Sequence, residues 1–168
     1  MLETQRIQFT PFNTQYKKPL EDLFCKNPLV MQNTLKGRVL TANELQKIID
    51  EDFITTTDET VGFWCLTNKE DNTFIGVSGL LKCDYLGKES YEFGFILDDN
   101  FWGKGIATEI GEFWINFAKS KLNLDEVLAT VSPENYASRK IMEKLDLNML
   151  RQFTSKERGA RLLYSKKL

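Results

Sequence analysis

Histidine is the most informative absence from this 168-residue sequence, because the chain contains none. Without an imidazole, Ser-His-Asp and Cys-His nucleophilic mechanisms are excluded. Cysteine is scarce too: there are three, with no CxxC pair, so we expect no disulfide framework, no zinc centre and no other metal. Cys25, Cys65 and Cys83 lie among apolar neighbours, which favours buried filler and a reducing, cytoplasmic location.

Long hydrophobic runs and charge of one sign are also missing. No window approaches 18 consecutive apolar residues and the N-terminus has no apolar leader, so we expect no membrane association and no secretion. The net charge is only −2, which excludes a global basic field that would recruit nucleic acid. No repeat or Pro/Gly-rich linker divides the chain, so residues 1–168 are predicted to form a single domain.

Hydrophobic periodicity gives an alternation of strands and helices. The predicted order is one strand, two helices, three strands, a helix, a strand, a helix and two strands. This order indicates an α+β fold, with a mixed sheet and helices on its faces. In the stretch "SYEFGFIL", Phe93 and Phe95 are predicted to lie on one face and Glu92 on the other.

The stretch "FWGKGIAT" places two glycines where a long helix begins. Glycine at a helical position costs about 1 kcal/mol relative to alanine, so Gly103 and Gly105 call for a reason. A helix start offers unpaired N–H groups and a positive dipole end, and glycine lets an anion approach closely. We therefore predict a phosphate or pyrophosphate cradle on the amides of Gly103 to Thr108, with Phe101 and Trp102 anchoring the turn in the core.

Two common phosphate-binding patterns do not match this turn. The P-loop pattern GxxxxGK[ST] is not present. The dinucleotide pattern GxGxxG has Thr108 at its third position, and Asp125 and Glu126 precede their strand instead of following it. A tight strand-to-helix turn without any ligand stays open on the glycines alone.

Two motifs in order resemble the GCN5-related N-acetyltransferase (GNAT) superfamily, and in particular the branch of ribosomal-protein N-terminal acetyltransferases. They are "DDNFWGKGIATE" and, about thirty residues later, "VSPENYASRKIMEKLDL". The first is similar to the family's [RQ]xxGxG/A pattern, with Asn100 in place of Arg or Gln. The second is similar to "peNxaSxxxxeKlGf", with Asp146 and Leu147 in place of Gly-Phe.

The resemblance implies a fold, a donor and a set of binding residues. The implied fold has a mixed, mostly antiparallel sheet of six to seven strands, with the fourth and fifth strands splayed and an acetyl-CoA-binding core at about 90–150. Acetyl-CoA is the implied cosubstrate and a primary amine the acceptor, with direct transfer in a ternary complex. The implied CoA-binding residues are Phe95, Ile96, Leu97, Gly103, Lys104, Gly105, Ile106, Ala107, Thr108, Asn135 and Ser138.

Catalytic roles follow from the same resemblance. Many family members protonate the leaving thiolate with a tyrosine seven residues after the helix asparagine, but that position is Met142 here. The implied donor is Ser138, three residues after Asn135; its alternative role is a local helix-start hydrogen bond. Without histidine, the base is Glu92 acting through water, or solvent itself. A structural or solvated carboxylate is the alternative for Glu92.

The acceptor and the partners are less defined by the sequence. The acidic stretch "IDEDFITTTDET" could attract a cationic amine or be a solvated loop. The leading hypothesis is an N-acetyltransferase acting on a protein N-terminus or a small-molecule amine. A non-catalytic CoA-binding module and a nucleotide-binding protein are the alternatives. A monomer or homodimer is expected, with no nucleic-acid partner.

Overall fold

The computed structural model describes residues 2–168. Its helices are α1 Lys17–Lys26, α2 Pro28–Met31, α3 Ala42–Asp52, α4 Ile106–Leu122 and α5 Tyr136–Lys144, with short 3-10 turns at Thr14–Tyr16 and Asp99–Phe101. Its strands are β1 Leu2–Glu3, β2 Ile7–Thr10, β3 Gly62–Asn68, β4 Phe74–Cys83, β5 Ser90–Leu97, β6 Glu126–Val131, β7 Asn148–Ser155 and β8 Gly159–Lys167.

All the strands form one sheet, in the order β1-β2-β3-β4-β5-β6-β8-β7. Every neighbouring pair is antiparallel except β5 and β6, which are parallel. The α+β class and the mostly antiparallel sheet are confirmed. The expected count of six to seven strands is too low, because the two-residue β1 pairs with β2 and brings the sheet to eight strands.

Helices cover both faces of the sheet, and each face has its own apolar core. On one face α4 and α5 pack through buried residues such as Ile110, Trp114 and Met142. On the other face α1, α2 and α3 pack through residues such as Phe24 and Ile49. Burial of apolar area from both sides drives this three-layer arrangement.

Helix α4 is tied to the middle of the sheet by a buried polar bridge. The indole N–H of Trp114 donates to the hydroxyl of Ser78 on β4 at 2.8 Å. That hydroxyl in turn donates to the carbonyl oxygen of Gly94 on β5 at 2.6 Å. Because both side chains are fully buried, the bonds fix α4 relative to β5 in a water-free setting.

The parallel strands β5 and β6 separate soon after they meet. β5 and β6 pair at one position, where Glu92 lies opposite Leu128. By contrast, β5 pairs with β4 along its whole length. Since β5 runs on to Leu97, most of its β6-facing edge lies beyond that pairing. This agrees with the predicted splaying of the fourth and fifth strands, which are β5 and β6 once the short β1 is counted.

Within residues 2–168, no helix combines the length and the apolar character needed to cross a membrane.

Candidate active site

A cavity of about 250 Å³ lies where β5 and β6 part. The β5 side contributes Glu92, Phe95 and Ile96, and the α5 side contributes Asn135 and Ser138. These five predicted site residues, drawn from two segments about forty residues apart, border the same space. The rest of the lining comes from β3, β4 and β6, from the loop after α2, from α3, and from the β7–β8 hairpin.

Glu92 is buried at 8% exposure and is held by hydrogen bonds from two elements. The phenol of Tyr85 donates to its Oε1 at 2.9 Å, and the hydroxyl of Thr130 on β6 donates to its Oε2 at 3.0 Å. The Nη2 of Arg158 lies 3.9 Å from Oε1 and also donates to the Tyr85 phenol oxygen. The polar face of β5 at this point is therefore a buried network and not a solvated surface.

This network changes the acidity of its neighbours. Burial, reinforced by the negative charge of Glu92, raises the pKa of the Tyr85 phenol. The same two causes raise the pKa of the Cys83 thiol to about 12. Both groups are therefore neutral at physiological pH, and the Tyr85 phenol keeps the proton that it donates to Glu92.

The start of α5 presents a hydroxyl to the cavity. The side chain of Asn135 caps the helix by accepting from the Ser138 backbone N–H at 3.1 Å. The Ser138 hydroxyl itself makes no hydrogen bond within residues 2–168, so the local capping role is taken by Asn135. Met142, one turn further on, is 2% exposed and also borders the cavity with a side chain that cannot donate a proton.

The glycine turn before α4 needs glycine for backbone reasons. Gly103 has φ +70° and Gly105, the residue before the first helical position, has φ +76°. Left-handed backbone is strained for L-residues but not for glycine. In the described part of the chain, the amides of residues 103–108 donate to no backbone carbonyl, and the first bonded amide is that of Glu109, to Gly105. The turn therefore presents unpaired N–H groups at a helix start.

A cation from the N-terminal side of β2 braces this turn. The Arg6 Nε forms an ion pair with Glu109 Oε2 at 2.6 Å, and its Nη1 donates to the Lys104 carbonyl oxygen at 2.8 Å. Partial burial opposes ionisation of Glu109, but hydrogen bonds from Thr4 and Arg6 outweigh it and lower its pKa. The turn is thus held by contacts about a hundred residues away in sequence.

Some predicted site residues lie outside the cavity. The glycine turn, residues 103–108, is at the start of α4, and Lys104 and Ile106 border a second cavity together with Arg6. Leu97 is 5% exposed, and its carbonyl oxygen accepts the indole N–H of Trp102 at 3.0 Å. The expectation that Trp102 is a core anchor is wrong, since it is 47% exposed and steadies the turn through this bond, whereas Phe101 does pack against the core.

Sequence reasoning missed the basic and phenolic partners in this site. Tyr85 lies in the loop before β5, and Arg158 and Arg161 flank the start of β8, where both border the cavity. The only sequence signal for Arg161 is its place directly before the apolar run "LLY". A charged residue beside such a run in a strand is a candidate for burial. Nothing local marked Tyr85 or Arg158.

Comparisons with known structures define the fold. An acetyltransferase of the GNAT family from Bacillus anthracis superposes with a TM-score of 0.78 at 18% identity, covering 99% of this chain and 97% of that one. RimL, a ribosomal alpha-N-protein acetyltransferase in complex with coenzyme A, superposes with a TM-score of 0.75 at 13% identity, covering 98% and 96%. At such identities the likeness shows a GNAT fold.

Sequence comparison establishes the family. The acetyltransferase (GNAT) domain model matches residues 6–148, so the chain belongs to the GNAT family of acetyltransferases. Among curated relatives, the uncharacterized N-acetyltransferase YnaD of Bacillus subtilis (strain 168) is 32% identical over 63 residues, which cover 38% of this chain and 37% of that protein. The matched part thus spans well under half of that relative. The resemblance found in the two motifs is confirmed.

Replacing Glu109 with glutamine should lower the free energy of unfolding by about 0.5–1 kcal/mol at pH 7, a modest loss because Arg6 is half exposed. The folded-state pKa of Glu109 lies below its ordinary value of 4.5. The stabilisation by its charge is therefore complete above that value and is lost as the pH falls through the lower folded pKa. Urea denaturation at pH 7 and pH 3 measures both. Glu112→Gln, on an exposed position of the same helix, is the control. An equal deficit at both pH values would contradict the ion pair.

Proposed function

We propose that this protein is an acetyl-CoA-dependent N-acetyltransferase that passes an acetyl group directly to a primary amine of a protein N-terminus or a small molecule. The observation that carries the proposal is the opening between β5 and β6, which is bordered by Glu92 and Ser138. Strand β5 leads from this opening to the start of α4, where the backbone amides are unpaired. The coenzyme A present in the RimL complex supports the same ligand for this family member.

The donor would be held at two places. The amides of Gly103 to Thr108 would bind the pyrophosphate, since the helix start supplies both N–H groups and a positive dipole end. The pantetheine arm would lie against the backbone of Phe95 to Leu97 along the open edge of β5, with Asn135 contacting it from α5. The Ile96 backbone faces β4, opposite Val77, and the carbonyl of Leu97 is already engaged by Trp102. The backbone groups of Phe95 and the amide of Leu97 are therefore the main contacts on the open edge.

The reaction requires attack, charge stabilisation and departure of a thiolate. The neutral amine nitrogen attacks the thioester carbonyl carbon, a C–N bond forms, and the C–S bond breaks. One backbone amide near Phe95 to Leu97 would stabilise the developing oxyanion. Glu92 would take the proton that the amine loses, through water, and Ser138 would donate a hydrogen bond or proton to the departing thiolate. The placement of Ser138 and Glu92 on the same cavity supports transfer over a CoA-binding module without activity.

The cradle is tested by calorimetry of acetyl-CoA binding to wild type and Gly105→Val. We expect micromolar binding by the wild type and at least a tenfold loss in the variant, because a side chain obstructs anion approach at the turn. Gly87→Val is the matched control: Gly87 has φ +72° in an exposed loop, so it carries the same backbone strain away from the turn. Absence of binding to folded wild type, or tighter ATP binding, would contradict the proposal.

The acid role of Ser138 is tested by Ser138→Ala. We expect kcat to fall by about 10–100-fold with the KM for acetyl-CoA nearly unchanged, since the hydroxyl acts on the leaving thiolate. Release of free thiol measures the rate. Ser120→Ala, which removes an exposed hydroxyl on α4, is the control. A wild-type kcat in Ser138→Ala would remove this residue from the chemistry.

The base role of Glu92 is tested by Glu92→Gln, which keeps the shape but not the charge. We expect kcat/KM to fall by about 10–100-fold at pH 7 and to recover towards wild type at pH 9, where more of the amine is already neutral. Thr130→Val is the comparison, because it removes one hydrogen bond to Glu92 and leaves the carboxylate. Equal losses in both variants at every pH would assign Glu92 a structural role.

A further inference from the structure

Arg161 carries a buried charge that is not paired with any carboxylate of residues 2–168. It lies at the start of the apolar part of β8 and is 5% exposed. Its Nη2 donates to the carbonyl oxygen of Leu35 at 2.9 Å, and its Nη1 reaches the carbonyl oxygen of Asn33 at 3.5 Å. Throughout residues 2–168, no carboxylate forms an ion pair with it, and its Nε has no hydrogen-bond partner.

Such an arrangement is costly unless something else completes it. A guanidinium stays protonated in proteins, and buried charges are normally paired. Burial and the nearby charge of Arg158 both lower the pKa of Arg161, which reflects the unfavourable setting. The negative charge of Glu92 offsets this only in part, because Glu92 forms no ion pair with Arg161 and its two oxygens accept from Tyr85 and Thr130.

Arg161 borders the cavity in which transfer would take place. The same space is lined by Ser138 and Phe95 on the donor side and by the loop carrying Asn33 and Leu35 on the other side. An anionic group in this cavity would approach a guanidinium that has no paired carboxylate and whose Nε–H is unpartnered within residues 2–168. The cavity's charged lining is balanced, with Arg158 and Arg161 against Glu92 and the exposed Asp52, so it does not favour a purely cationic acceptor.

We propose that the acceptor of this protein is an amine that also carries a carboxylate, and that Arg161 binds this carboxylate. The inference rests on the proposed transfer to an amine and specifies its substrate class. A carboxylate matches one guanidinium in charge and planar geometry. A phosphate dianion would need a second free cation, and Arg158 is already occupied by Thr130, Tyr85 and Glu92.

The first experiment compares matched acceptors with wild type. One arm compares amino acids with their carboxamides. The other arm compares short peptides that have aspartate or asparagine at the second position. The two arms distinguish the carboxylate of a free amino acid from that of a peptide side chain. We expect kcat/KM for the carboxylate member of at least one arm to exceed that of its amide by about tenfold or more. Equal use of both members, or preference for amides, polyamines or phosphoethanolamine, would overturn the proposal.

A second readout does not require turnover. Calorimetry measures binding of N-acetyl amino acids, N-acetylated peptides and their amides to the CoA-loaded protein, as analogues of the product. If none of the tested amines is acetylated, these binding constants decide the question. Tighter binding of the carboxylates than of the matching amides supports the proposal, and equal or weaker binding of the carboxylates overturns it. Loss of acetyl-CoA binding itself would instead count against the transferase function, so the two failures are distinguishable.

Variants assign the preference to Arg161. Arg161→Met should reduce the carboxylate preference to within about twofold, and Arg161→Lys should restore part of it because the charge remains. Arg38→Met removes a surface guanidinium paired with Glu44 and should leave the preference unchanged. Melting curves check folding, because Arg161 also holds Leu35; if Arg161→Met unfolds, the wild-type pairs and Arg161→Lys decide. A preference that persists in folded Arg161→Met would overturn the assignment.

Discussion

The candidate site depends on the point where β5 and β6 stop pairing. At this point Glu92 joins the two strands through its backbone register with Leu128 and through the hydrogen bond from Thr130. Beyond it, backbone groups inside the fold face a cavity and not a neighbouring strand. Buried backbone groups need partners, so an extended ligand that can hydrogen-bond along β5 would complete the sheet.

The glycine turn adds a second constraint, which is local in sequence but held from far away. Two left-handed glycines shape the turn, and the amides of residues 103–108, up to the first turn of α4, donate to no backbone carbonyl in residues 2–168. Arg6 holds it through Glu109 and the Lys104 carbonyl oxygen. Because β5 leads directly into this turn, the bridge from Trp114 through Ser78 to Gly94 sets the open strand edge and the helix start in one rigid relation.

Local patterns predicted most of the secondary structure. The capping box of Thr41 and Glu44 begins α3, and Pro28, at the first position of α2, separates α2 from α1. The two-residue β1 was missed because two residues carry no periodicity. A bulky aromatic at the turn favours a place in the core, but Trp102 is 47% exposed and its indole N–H donates to the Leu97 carbonyl oxygen. Asn135 and Ser138 could be predicted because they lie three positions apart within one family motif.

The sequence by itself determined the fold class, the family and the two short motifs, because each depends on residue type at fixed short spacing. The absence of histidine likewise restricted the chemistry without any coordinates. Only the tertiary structure decided the surroundings of Glu92 and the burial of Arg161. Arg158, for example, donates hydrogen bonds to Thr130 and Tyr85, which lie 28 and 73 residues away from it in the sequence. No local pattern encodes such distances, since they arise when the sheet is assembled.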